Sequence, residues 1–213
     1  PPLVNQWTSL NELQIGITTP TPFPTVLSTL PSLERLFLYG FSGPVPAQYM
    51  ALSNLRSLAL GSRFMTGTVP TGISQLSNLR WLSLRGKLTG TIPNSFLELR
   101  NLEFLSIGRE DPNGLEGLSG PIPAWLAQLP ELDTLDLDYN QFSGTIPGAI
   151  ISSGIRSVEL KGNRLIGPLP IADRQNIPSS WLDISKNPIG CFIGAGYART
   201  GSLNIEETGL RPD

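Results

Sequence analysis

Asp136, Glu159 and Asp183 recur at intervals of 23 and 24 residues, each in the middle of an apolar-x-apolar triplet, and Asp138 follows the first of them by two positions. Carboxylates brought side by side could act as acid and base on a sugar, hold a cation, or receive a basic peptide side chain. Neighbours about 5 Å apart repel by roughly 1 to 3 kcal/mol each. Lys161 is expected to offset this by pairing with Asp138 and diagonally with the column, which would leave a solvated acidic strip as the alternative to a site. A second set is aromatic and cationic: Phe37, Tyr39, Trp81, Arg85 and Phe104 lie in or beside the same triplets. Flat side chains on a wet surface are favoured binding anchors, and packing on one another is the alternative. The chain has no histidine, which removes the commonest general base and metal ligand. With no nucleophile–base pair and no phosphate loop either, neither catalysis nor a cofactor or metal is expected.

These residues can meet only if the chain returns to the same line every two dozen residues. Triplets open at Leu13, Leu36, Leu58, Leu82, Leu105, Leu135, Val158 and Leu182, at steps of 23, 22, 24, 23, 30, 23 and 24 residues. Further leucines precede them at three-residue spacing, as in Leu52, Leu55 and Leu58, and Gly-x-(Ile/Val/Leu)-Pro follows, as in Gly67 to Pro70 and Gly144 to Pro147. Side chains of a strand alternate faces, so both apolar members of a triplet point inward and the residue between them points out. Three-residue spacing suits a 3₁₀ turn, and glycine and proline bend the chain at the same place in each coil. No single coil can bury its apolar stripe, so neighbouring coils are expected to form one domain over residues 1–213.

The composite L-x-x-L-x-x-L-x-L-x-x-N-x-L-x-G-x-I-P resembles the plant-type leucine-rich repeat of receptor-like kinase ectodomains, receptor-like proteins and polygalacturonase inhibitor proteins, over about residues 7–192. The resemblance implies an α/β, right-handed solenoid of about eight coils. A parallel sheet would line its concave face and 3₁₀ turns its convex side. Residues 193–213 would form a degenerate C-terminal cap in which Leu203-x-Ile205 adds a last strand. The activity implied is non-catalytic recognition of a protein, peptide or cell-wall glycan through the concave face or rim, outside the cell or at its surface. The alternative is a structural, self-assembling repeat protein, and the missing paired cap cysteines motivate it. Cys191 is the single cysteine; it reads as a small buried residue, with an intermolecular disulfide as the other option.

The family's asparagine rung falls on Asn140, Asn163 and Asn187 late in the chain, but on Thr18, Phe41, Arg63 and either Gly86 or Lys87 earlier. The first half is therefore expected to be less regular. The 30-residue step comes from an insertion, Arg109 to Gly117, whose rim position would suit a ligand contact or a tolerated loop. The expected ligand-binding set is Phe37, Tyr39, Trp81, Arg85, Phe104, Asp136, Asp138, Glu159 and Asp183. A net charge of -2 from 15 basic and 17 acidic residues leaves no basic face for nucleic acid. No apolar run reaches the roughly 20 residues of a bilayer crossing, and the ends at Pro1 and Asp213 fit a processed or truncated product.

Overall fold

A computed structural model describes residues 7–110, 114–169 and 181–189, with the backbone of Leu203 and Asn204. The inward triplets become the rungs of a parallel sheet ordered as in the sequence: β1 (Glu12–Gly16), β2 (Arg35–Tyr39), β3 (Ser57–Thr68), β4 (Trp81–Thr89), β5 (Phe104–Gly108), β7 (Thr134–Asp136), β9 (Ser157–Glu159), β11 (Trp181–Asp183) and β12 (Leu203–Asn204). The register aligns the triplets without slippage, so Leu58 pairs with Leu82, Leu82 with Leu105 and Leu105 with Leu135. Leu58, Leu82 and Leu135 are fully buried in one cluster that runs from Phe23 to Ile189. The last strand expected at Leu203 is present, with Leu203 opposite Leu182.

The convex side is built by proline. The carbonyls of Pro24, Pro46, Pro70, Pro93 and Pro123 each accept a hydrogen bond from the N–H three residues on, opening the 3₁₀ segments Thr25–Thr29, Ala47–Ala51, Thr71–Gln75, Asn94–Glu98 and Ala124–Gln128. Each proline sits just outside its turn, where its missing donor costs nothing. Leucines spaced by three continue the pattern, as in Leu55 N–H to Leu52 O (2.9 Å) and Leu79 N–H to Leu76 O (2.9 Å). Behind Pro147 the segment Gly148–Ile151 is instead one turn of α-helix, α1, a local departure from the expected 3₁₀ geometry.

The two halves differ in how they close the turn after the strand. In the second half Asn140, Asn163 and Asn187 are buried and reach across coils. The Asn163 side-chain amide donates to Leu137 O and Leu160 O, both at 2.9 Å, and its oxygen accepts from Phe142 N–H at 3.0 Å. Asn140 does the same for Ile107 O and Leu118 N–H, and Asn187 for Leu160 O and Leu165 N–H. Three short strands run behind the main sheet, β6 (Ser119–Pro121), β8 (Gln141–Gly144) and β10 (Arg164–Leu165).

In the first half β3 and β4 run on through this region and satisfy the backbone by pairing, with a register shift between Gly61 and Thr66. Ser62 supplies a local substitute, its hydroxyl accepting the Phe64 N–H at 3.0 Å. Phe41 corrects the reading of the rung. It lies two residues before Gly43, as Met65, Leu88, Phe142 and Leu165 lie two before their glycines, so it fills the next inward position and its coil has lost the rung. It is buried and stacked on Phe23, ring centroids 5.5 Å apart. The shortened turn needs Gly40, whose φ is +84° and where a Cβ would stand 2.1 Å from Ile17 O.

Candidate functional site

Asp136, Glu159 and Asp183 lie in register on β7, β9 and β11, as their spacing implies. What relieves them is only in part what the spacing suggests. Lys161 gives Asp138 its main-chain N–H, at 2.7 Å, and its ammonium, which hydrogen-bonds Tyr139, also acts through its charge on Asp138 and, diagonally, on Asp183. The cation that makes a direct ion pair is Arg85, which reaches from β4 across β5 to Asp136. It can do so because Gly108 lies between them: a Cβ there would come within 2.9 Å of the Arg85 guanidinium and 2.6 Å of Asp138 O. Asp136 also accepts from the Ser106 hydroxyl (3.0 Å) and the Asp138 N–H (3.1 Å), and Asp183 accepts from Ser185 N–H at 2.9 Å. Two of the three column acids therefore fasten the ends of their own strands.

Burial is the largest cause that raises the Asp138 carboxyl, and the Asp136 charge adds to it, against the bond from Lys161. The group is pushed up to about 7. Glu159 is raised for the same first reason, with Asp136 and Asp183 adding and Arg85 opposing. One carboxylate oxygen from each of Asp136, Asp138 and Glu159 falls within 4.8 Å of the others, the spacing a cation would need. The oxygens of Asp136 already have donors within the chain: the Ser106 hydroxyl, the Asp138 N–H and the Arg85 guanidinium.

The aromatic set divides. Trp81 and Phe104 stack face to face across β4 and β5, centroids 3.6 Å apart and planes 5° apart. Phe37 and Tyr39 lie two coils earlier, with Phe37 half-buried and Tyr39 40% exposed. Tyr39 leans over Gly61, where a Cβ would be 3.0 Å from its ring. It belongs instead to a groove along the downstream edge of the sheet. Two adjoining clefts of about 570 and 300 Å³ share Tyr39 and Glu110. The larger adds Ile17, Ser62, Arg63 and Phe64; the smaller adds Ser83, Arg85 and Arg109. Phe64 is exposed and carries the Arg63 guanidinium 4.8 Å over its ring. The insertion forms one wall, with Arg109 buried and Lys87 paired to Glu116 at 3.6 Å.

A family model for the leucine-rich repeat matches residues 131–152. The solved structure of plant peptide hormone receptor RGFR1 in complex with RGF2 superposes with a TM-score of 0.80 at 26% identity, covering 97% of this chain and 34% of that one. The Arabidopsis receptor kinase HAESA, in complex with the peptide hormone IDA and the co-receptor SERK1, gives 0.77 at 28% identity over 95% of this chain and 34% of that one. Receptor-like protein 31 of Arabidopsis thaliana is 33% identical over 217 residues, 80% of this chain and 25% of that protein. The chain belongs to the plant-type leucine-rich-repeat family.

This leucine-rich-repeat chain thus spans a quarter to a third of the length of these relatives. Within the repeat, sequence reasoning missed Arg63 and Phe64 as lining residues, and named Glu110 only as part of the rim insertion. Arg63 was visible as a departure from the asparagine rung, and a charged residue there must turn outward, which brings its neighbour Phe64 to the surface. Glu110 is the second residue of the insertion, and nothing in its spacing indicates that it reaches back to coils two and three. Among the described residues no helix is long and apolar enough to cross a membrane.

Proposed function

We propose that this chain is a non-catalytic recognition module, one continuous repeat domain, that takes an extended peptide segment of a partner across its concave face. The anchor is the groove at Tyr39 and Glu110, and the setting is outside the cell or at its surface. The observation that carries the reading is the groove itself: two exposed aromatics, a cation and an acid held on a packed sheet, where ordering them costs little. HAESA was solved with the peptide hormone IDA, and RGFR1, a plant peptide hormone receptor, with RGF2, which supports a peptide over other ligands. Against catalysis stands the open trough, which cannot exclude water from an acid–base pair.

Selecting a displayed random-peptide library on the purified chain tests this. Enriched peptides are expected to lose at least about tenfold in affinity on Tyr39→Ala with Glu110→Lys, the loss typical of an anchor residue, and to tolerate Asp183→Asn. No enrichment, or peptides indifferent to the double variant, would overturn the reading.

A further inference from the structure

The upstream edge of the same sheet holds a second feature that the groove does not use. Trp81 is backed on one face by Phe104, yet remains 44% exposed. Its in-register neighbour on the other side is Ser57, too short to cover an indole, and beyond Ser57 comes Arg35. Arg35 is tied to Glu12 at 2.8 Å and so held to the far side. Strands lie about 4.8 Å apart, so Trp81 and Arg35 stand roughly 9.6 Å apart across the serine rung. A ring lying flat against the indole needs about 3.5 Å, one carbon contact distance, and the open serine rung admits one.

The residues just before these strands carry a ladder of ion pairs, and it breaks at this step. Arg56 pairs backward with Glu34 at 3.3 Å, and Arg80 pairs forward with Glu103. Arg56 and Arg80 are direct neighbours, joined by the Arg80 N–H to Arg56 O bond at 2.8 Å, and both side chains are about half exposed. Two guanidiniums therefore flank the slot on adjacent rungs with their carboxylates on the outer sides. Like charges so placed favour an anion between them.

We infer that the slot over Ser57, between Trp81 and Arg35, is a subsite for an aromatic side chain of a bound peptide, with a neighbouring carboxylate received by Arg56 and Arg80. The flat apolar face of the indole suits an aromatic ring better than a pyranose, whose faces carry hydroxyls that the indole would strip of water. This rests on the reading that the concave face meets a peptide, but it uses the opposite edge from Tyr39 and Glu110.

The probe is acetyl-Phe-Glu-amide, titrated while following the indole N–H resonance of Trp81, assigned by its loss in Trp81→Phe. Saturable movement of that resonance is expected, at least about threefold weaker for acetyl-Phe-Gln-amide and for the cyclohexylalanine analogue. Ser57→Phe should fill the slot and abolish the response, while Arg56→Gln with Arg80→Gln should erase the difference between the Glu and Gln probes. Unchanged urea midpoints confirm that these variants fold. Tyr39→Ala should leave the response intact, which separates failure here from failure of the groove. A silent Trp81, equal responses to all three probes, or a response to digalacturonate in place of the dipeptide would overturn the assignment.

Discussion

Between Leu118 and Ile189 the described coils are closed by the buried Asn140, Asn163 and Asn187; before Leu118, the chain closes coils with longer strands, a bulge and glycines. In the second half β7, β9 and β11 have three residues each, and side-chain amides supply what those strands leave unpaired. The first half has strands of five to twelve residues that pair their own backbone. A rung asparagine must point inward, so where it is kept the turn is fixed and its neighbours are constrained. Where it is lost, Arg63 and Phe64 face solvent and the groove opens beside them. Buried polar partners and a variable surface thus compete for the same position, and this molecule resolves the competition differently in its two halves.

The sharpest way to break the comparison is to remove one rung. Asn163→Leu leaves Leu137 O, Leu160 O and Phe142 N–H buried without their side-chain partner, and should cost about 3 to 5 kcal/mol. Arg63→Leu, at the corresponding place in the first half, should change stability by less than about 0.5 kcal/mol. Urea midpoints for the two variants measure the difference. Glycine is what the first half relies on instead. Gly40→Ala drives a methyl into Ile17 O at a positive φ and should cost about 2 to 4 kcal/mol, whereas Gly43→Ala, at the same φ but in open space, should cost about 1 to 2. Equal costs for these two in the same melts would show that close packing at the shortened turn is not what matters.

A smaller effect distinguishes the acidic column. The folded chain holds the Asp138 proton to about 7, whereas the unfolded chain releases it near 3.8. Between those values the native state binds more protons, so this group's contribution to stability falls as pH rises from about 4 to about 7. Because Asp138 is only half-buried, screening should limit the loss to about 1 to 2 kcal/mol. Asp138→Asn, which can still accept the Lys161 N–H, should flatten that slope and be the more stable protein at pH 8. A variant that kept the wild-type slope would assign it to another group.

The fold was legible because it depends on periodicity: leucines recurring every two dozen residues can bury themselves in only one way, and Leu58, Leu82 and Leu135 share the interior they imply. The strand register carried the acidic column with it. What spacing could not convey was reach. Arg85 ends at Asp136 because a glycine at 108 lets it cross a strand, and Trp81 and Phe104 meet each other while Phe37 and Tyr39 do not join them. Phe41 was misplaced because two missing residues shift a coil inward without disturbing its leucines. Cys191 and most of the expected cap, residues 193–213, lie outside the described residues.

Hydrogen exchange followed by mass spectrometry, on the chain alone and saturated with a peptide selected as above, tests recognition by the ladder-free half most directly. Slowed exchange is predicted in 37–41, 59–64 and 83–110, with the convex segments 71–75 and 124–128 unchanged. Protection confined to those convex turns, or to strands beyond Asp136, would contradict the account.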